Sequence, residues 1–95
     1  MPFSKLIFRV HAVQRMFERG VTDADVRQVL TAGERIEDYP DDKPYPSYLM
    51  LGYSVGRPLH VVAADNSAAG ETIVVTVYEP DPRKWDVSLK KRANP

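Results

Sequence analysis

The stretch EDYPDDKPYPS, residues 37–47, divides this 95-residue chain into a half with helical periodicity and a half rich in strand-forming residues. It carries three prolines and four acidic side chains. Because proline fixes φ and donates no backbone hydrogen bond, the segment is predicted to be a stiff, shaped loop. A long stiff loop in a small domain usually serves recognition or shapes a site.

Before this loop, the pattern predicts a first helix over about residues 8–19. At about 100° per residue, four apolar side chains fall on one face: Val10, Val13, Met16 and Phe17. Gly20 is the expected C-cap. The start is open between two alternatives. Either Ser4 caps a longer helix, or residues 5–8 form an extended lead-in.

A second helix is predicted over about residues 23–32. Thr22 is the expected N-cap, and Asp25 three residues later completes an approximate capping box. Gly33 is expected to end the helix. The two helices form a helix–turn–helix pair in the loose sense. Recognition of DNA is disfavoured, because the second helix offers bases only Arg27 and Gln28.

After the second helix, four strands are predicted over about residues 34–39, 48–54, 59–65 and 72–79, followed by a basic tail over 83–95. The last strand is the most β-branched and is expected to be central. Gly56 is expected to supply a positive φ in the hairpin turn over residues 55–58. The simplest pairing places His60, Thr76 and Tyr78 on one, more polar, face of the sheet.

The order of these elements predicts one α+β domain over residues 1–95. Two N-terminal helices would pack on one face of a four-stranded, mainly antiparallel sheet, leaving the other face partly open. Strict alternation in the last strand would separate its side chains into two sets: Ile73, Val75 and Val77 on one side, and Val74, Thr76 and Tyr78 on the other.

The composition excludes several classes of protein. The chain contains no cysteine, which excludes disulfides, zinc–thiolate sites and cysteine nucleophiles. No apolar run approaches the roughly 20 residues that a membrane helix needs. The start, MPFSKLIFRV, lacks the pattern of a signal peptide. We therefore expect a cytoplasmic protein that does not bind a membrane.

The net charge is zero, but the charges are distributed unevenly. Residues 1–20 carry four bases and one acid, and residues 83–95 carry five bases and one acid. The two middle segments are acidic: residues 21–47 carry three bases and seven acids, and residues 48–82 one base and four acids. Such a chain can turn a basic face toward RNA and an acidic face toward a partner, or the charges can serve solubility alone.

The first helix carries His11, Arg15 and Arg19 along one ridge, because residues four apart are neighbours on a helix surface. Two guanidinium groups can hold a phosphate while an imidazole moves a proton. The alternative is structural, with Arg15 paired to Glu18 or to the acidic loop and His11 capping or packing.

Two further candidates lie in the strands. His60 is placed within the apolar run LHVVAA and can act as an acid–base group or as a satisfied core residue. Tyr78 can anchor packing through a hydrogen-bonded hydroxyl, or stack on a base and orient a phosphate.

Three more cations are candidate RNA-binding residues: Lys43 in the loop, Arg57 at the hairpin and Arg83 in the tail. Each is also readable as a solvated charge. The acids Asp38, Asp41 and Asp42 do not match the spacing of a calcium loop. We therefore expect no metal and no cofactor.

Four pieces of the chain together resemble a bacterial family described as domain of unknown function 4258, over about residues 8–92. They are HAVQRMFERG (11–20), EDYPDDKPYPS (37–47), GRPLHVV (56–62) and VTVYEPDPRKW (75–85). That family is similar to the RelE-type toxin superfamily, which has the same order of helices and sheet. Its members are suspected toxins of type II toxin–antitoxin pairs, and related toxins are metal-independent endoribonucleases that act on messenger RNA.

The resemblance implies RNA, including ribosome-associated messenger RNA, as substrate and a cognate antitoxin protein as partner. The motif positions it carries over are His11, Arg15, Arg19, His60 and Tyr78. The first hypothesis is an RNA endonuclease in which His60 or His11 moves the proton and the cations stabilise the phosphorane. The alternative is a non-catalytic interaction module that binds a partner through the acidic loop or a sheet edge.

Overall fold

The computed structural model describes residues 5–93, which form an α+β fold with two helices and a five-stranded mixed sheet. The elements in chain order are β1 (Lys5–Phe8), α1 (Val10–Arg19), α2 (Asp23–Ala32), β2 (Glu34–Tyr39), β3 (Ser47–Ser54), β4 (Arg57–Asn66) and β5 (Glu71–Tyr78). Ser4, the alternative N-cap of the first helix, and residues 94–95 of the tail lie outside the described residues. No helix within residues 5–93 has the length and apolar character required to cross a membrane.

The sheet has one strand more than predicted. Its order is β1-β5-β4-β3-β2, and β1 pairs in parallel with the first four residues of β5, Glu71–Val74. The other three pairings are antiparallel. The prediction of four strands was therefore wrong, and the extended lead-in over residues 5–8 is the correct alternative. Its side chains fit a helical stripe equally well, so only the pairing with a distant strand decides its structure.

Helix α1 presents a different face to the core from the one predicted. Ala12 and Met16 are buried, whereas Val10, Val13 and Phe17 are exposed, Phe17 to 88%. The backbone N–H of Arg9 donates to the carbonyl of Val74, and the helix begins at the next residue rather than near residue 8. Only Met16 of the four apolar side chains predicted to face the core therefore does so.

Helix α2 begins and ends where the sequence predicts. The backbone N–H of Asp25 donates to Oγ1 of Thr22, and Oδ2 of Asp25 accepts from the backbone N–H of Thr22, so the capping box is confirmed. The helix packs closely on β3, because a Cβ on Gly52 would lie 2.9 Å from Cα of Val29. Glycine at this position permits the two backbones to approach.

The hairpin between β3 and β4 has a two-residue turn, Val55–Gly56, rather than the four-residue turn predicted. Both residues have positive φ, 53° and 76°, which is the requirement of a type I′ turn. Gly56 adopts this conformation freely, whereas a β-branched side chain such as Val55 is strained there. Pro58 lies within β4, opposite Tyr53.

A β-bulge changes the alternation of β5. His60 pairs with Tyr78 and Val62 with Thr76, so the predicted common face of His60, Thr76 and Tyr78 is confirmed. The register then shifts, and Val74 pairs with Ala63. Since Val75 is the extra residue, Val74 joins Val77 in the core under the helices, which corrects the strict alternation predicted for this strand.

The second face of the sheet is covered in part by the segment after β5. This segment, residues 80–93, is called the C-terminal strap. It turns at Asp81, whose carbonyl accepts from the backbone N–H groups of Lys84 and Trp85. It then doubles back, because Trp85 forms a β-bridge with Arg92. Trp85 is only 4% exposed, so the strap is part of the packed structure.

Candidate functional site

A groove of about 500 Å³ runs between helix α1 and the C-terminal strap, along β5. Within residues 5–93, β1 pairs only with the first half of β5 and leaves Val75–Tyr78 without a strand neighbour on that side. The charged ridge of α1, formed by His11, Arg15 and Arg19, lies beside this uncovered half of β5. The groove is lined by Arg15, Arg19, Thr76, Val77, Tyr78, Glu79, Asp81, Lys84, Trp85 and Arg92.

The ridge of α1 and the polar side of β5 meet in this groove. Nε2 of His11 lies 3.1 Å from Oγ1 of Thr76, within hydrogen-bond distance. Arg15 and Arg19 follow on the next two turns and line the groove with Tyr78. The structure therefore brings Arg15, Arg19 and Tyr78 into one groove lining, and His11 lies beside that lining through its contact with Thr76.

The groove carries more positive than negative charge. Four bases and two acids line it, and each of the two acids pairs with a cation outside the lining. Glu79 accepts from Arg57 at 2.6 Å, and Asp81 from Arg83 at 3.2 Å. These pairs neutralise the two lining acids without using a lining base, but two of the four lining bases are themselves paired with acids outside the lining.

The lining bases differ in how far they are neutralised. Arg15 pairs with Glu18 at 3.0 Å, which confirms the structural alternative for its charge. Both side chains of this pair are well exposed, and such surface pairs contribute little stability. Arg19, by contrast, has no ion pair within residues 5–93, so it can pair with an anionic ligand without breaking one.

His60 lies beneath the groove wall and is fully buried. Its Nδ1 is 3.2 Å from the hydroxyl of Tyr78, and its Nε2 is 2.8 Å from the carbonyl of Leu89 in the strap. The ring of Trp85 packs edge-on against it at 4.5 Å. Burial lowers the pKa of His60, because a charged imidazole would lose its hydration there. Tyr78 and Trp85 both line the groove and both contact His60, so a ligand in the groove would meet these two rings rather than the imidazole.

A family model described as "Domain of unknown function (DUF4258)" matches residues 8–79. The chain belongs to the DUF4258 family. No curated protein and no solved structure matches it. The DUF4258 match ends immediately after β5, so α1 and β5 lie within it and the C-terminal strap lies beyond it. The groove is thus formed by the DUF4258 region on one side and by the strap on the other.

Three of the predicted RNA-binding cations do not line the groove. Arg57 donates to Glu79 and to the carbonyls of Gly20 and Arg19, so it ties the hairpin to the end of α1. Arg83 pairs with Asp81 outside the lining. Lys43 is exposed in the loop between β2 and β3. Arg57 and Arg83 do, however, neutralise the two acids that line the groove.

Sequence reasoning missed four residues that shape the groove: Thr76 as a partner of His11, and Trp85, Lys84 and Arg92 from the strap. The strap was recognised as a basic segment, but its path depends on the burial of Trp85. Cζ of Arg92 lies 4.7 Å from the centroid of the Trp85 ring, a cation–π contact. The single tryptophan in an otherwise polar, basic tail was the available signal that this segment packs against the sheet.

The acidic loop satisfies part of its charge locally. Oδ2 of Asp42 accepts from the Ser47 hydroxyl, and Asp38 pairs with Arg35 at 2.6 Å. Within residues 5–93, no three histidine, aspartate or glutamate side chains lie close enough together to hold a metal ion. Asp41, in the same loop, is exposed.

Proposed function

We propose that this protein is a cytoplasmic, metal-independent endoribonuclease of RelE type, the toxin of a type II toxin–antitoxin pair. The observation that carries the proposal is the groove lined by Arg15, Arg19 and Tyr78, with His11 beside it in contact with Thr76. A protein that cleaves RNA without a metal must supply cations for the phosphate and a group that moves a proton. The groove offers both.

Arg15 and Arg19 would hold the scissile phosphate. Guanidinium groups bind phosphate through paired N–H donors, and they stabilise the charge that grows on the phosphorane in the transition state. Arg19 is the stronger candidate because no carboxylate within the described residues neutralises it. Lys84 and Arg92 would contact neighbouring phosphates from the strap, Arg92 in exchange for its ion pair with Glu37.

His11 would move the proton. It is exposed beside the groove, within hydrogen-bond distance of Thr76, and an imidazole nitrogen is a suitable general base. It would take the proton of a ribose 2′-hydroxyl while the 2′-oxygen attacks the adjacent phosphorus. The bond from phosphorus to the 5′-oxygen breaks, and that oxygen takes a proton from solvent. The products are a 2′,3′-cyclic phosphate and a 5′-hydroxyl.

The test is cleavage of RNA by purified protein in the presence of EDTA. We expect cleavage to persist with chelator and to fall by about 10²–10³-fold in Arg19→Ala, the range for loss of one preorganised charge-stabilising group. His11→Ala should fall comparably. Arg27→Ala on α2 is the matched control, since it removes an arginine outside the groove. Cleavage that needs a metal, or that survives both substitutions, refutes the mechanism.

A second function is favoured by a different observation. Three apolar side chains of α1 are exposed, namely Val10, Val13 and Phe17, and clustered exposed apolar residues often mark protein interaction sites. With the acidic loop and the open sheet edges, they support an interaction module without catalysis. Expression in a bacterial host separates the two. Growth arrest that a neighbouring gene relieves supports the toxin and its antitoxin, whereas a stable complex without arrest supports the module.

A further inference from the structure

His60 is the buried ionisable group that the proposed mechanism does not use. It lies in β4 between Leu59 and Val61, both fully buried, and an imidazole in such a place is costly unless both ring nitrogens are hydrogen-bonded. Both are. The partners are the hydroxyl of Tyr78 in β5 and the carbonyl of Leu89 in the strap.

The two contacts fix the tautomer of the ring. A backbone carbonyl has no proton to give, so the 2.8 Å contact requires that Nε2 of His60 carries the hydrogen and donates it to Leu89. In the neutral ring Nδ1 is then an acceptor. Burial lowers the pKa of His60 and so favours this neutral form.

The tautomer in turn fixes the hydroxyl of Tyr78. With Nδ1 of His60 as acceptor, the Tyr78 O–H must be the donor across the 3.2 Å contact. The one hydroxyl hydrogen of Tyr78 is then donated to His60, so the Tyr78 oxygen can only accept a hydrogen bond from a ligand. The edge-on rings of Tyr78 and Trp85, at 5.2 Å and 4.5 Å, hold the imidazole in the required plane.

We propose that His60 is a positioning residue that holds the Tyr78 hydroxyl as an acceptor-only group in the groove wall, where it selects a hydroxyl donor, the 2′-OH of a ribose other than the attacking one. The inference rests on the proposed function for the identity of its ligand. An acceptor at this position distinguishes RNA from both DNA, which lacks the hydroxyl, and 2′-O-methyl RNA, which cannot donate. The Leu89 carbonyl makes the strap part of this selection.

The experiment measures the affinity of the full chain for short single-stranded oligonucleotides of one mixed sequence, made as RNA, DNA and 2′-O-methyl RNA. Fluorescence anisotropy at fixed salt is suitable, because salt controls the phosphate contribution. The wild type should bind RNA about 2- to 10-fold more tightly than 2′-O-methyl RNA, the range for one hydrogen bond. Tyr78→Phe, which keeps the ring, should remove that preference.

Two substitutions of His60 separate positioning from packing. His60→Asn keeps an acceptor near Nδ1, and His60→Gln keeps a donor near Nε2. We expect His60→Asn to retain the RNA preference and His60→Gln to lose it, whatever their melting temperatures. A merely structural histidine would lower the melting temperature in both variants and leave the RNA preference intact.

Nitrogen NMR of the imidazole tests the arrangement without any nucleic acid. We expect a protonated Nε2 and a bare Nδ1 at His60, and a protonated Nδ1 overturns the inference. RNA binding with no preference over 2′-O-methyl RNA overturns the inference alone. Absence of RNA binding overturns the proposed function and the assigned ligand together, while the NMR result still decides the tautomer.

Discussion

Replacement of Trp85 by alanine tests whether the C-terminal strap belongs to the folded core. Trp85 is 4% exposed, packs against His60 at 4.5 Å and carries Arg92 on its ring face. Substitution of a buried tryptophan by alanine costs about 3–5 kcal/mol, since apolar contact is lost and a cavity remains. For a domain of this size, each kcal/mol lowers the melting temperature by about 4–8 °C. We therefore expect a fall of at least about 12 °C.

Thermal unfolding followed by circular dichroism, with urea unfolding for the free energy, measures this effect. Val87→Ala is the matched control, because Val87 is a fully exposed apolar residue of the same segment. It should change the free energy of unfolding by no more than about 0.5 kcal/mol. If Trp85→Ala lost less than about 1 kcal/mol, the strap would not be part of the core, and the groove would lack a wall.

Two further predictions concern the turn and the buried histidine. Val55→Asn should stabilise the protein by about 1 kcal/mol, because asparagine tolerates the left-handed φ of 53° far better than valine. Val87→Asn is the control and should not stabilise it, because Val87 has no positive φ. Equal effects of the two substitutions in thermal unfolding would contradict this reasoning. Because burial lowers the pKa of His60 in the folded state, the unfolded chain binds the proton more readily as the pH falls. The contribution of neutral His60 to the free energy of unfolding should therefore be complete above about pH 6.5 and be lost as the pH falls through the folded-state pKa. Urea unfolding at about pH 7.5 and about pH 5.5 should show this loss in the wild type and in His11→Gln but much less of it in His60→Gln; an unchanged loss in His60→Gln would assign it to other groups.

The predicted elements with strong local signals are confirmed. The capping box at Thr22 identifies the start of α2 because both hydrogen bonds are formed within four residues. The common face of His60, Thr76 and Tyr78 follows from the period-2 alternation of paired strands. The capping box needs no knowledge of distant residues, whereas the common face also needed the assumed pairing of β4 with β5, which the observed register confirms.

Features that depend on distant contacts were not predicted. The strand β1 is decided by its pairing with Glu71–Val74, more than sixty residues away along the chain. The face that α1 presents to the core is decided by Ala12, whose small side chain lets the helix lie close to the sheet. Periodicity identifies an apolar side of a helix, but packing selects which part of that side is buried.

The candidate site likewise combines features that follow from the local sequence with features that depend on distant contacts. The ridge of His11, Arg15 and Arg19 follows from spacing alone, and the structure places its two arginines in the groove lining and His11 beside them against Thr76. The environment of His60 does not follow from the residues around it, because an apolar strand with one open face leaves it exposed and the docked strap buries it. The strap's path is set by Trp85, whose contacts lie outside its own segment.

The position of the groove follows from the unequal lengths of two strands. β1 has four residues and β5 has eight, so half of β5 is left for α1 to cover with its charged ridge. The strap then closes the second side and supplies Lys84 and Arg92. Since the DUF4258 match ends at residue 79, the arginines of α1 that we propose to bind phosphate lie within the family region and the second wall lies beyond it. Under the proposed function, the two walls therefore make separable contributions. Substitutions on α1 should lower the rate of cleavage, whereas substitutions in the strap should weaken the binding of neighbouring phosphates and change the orientation of Tyr78.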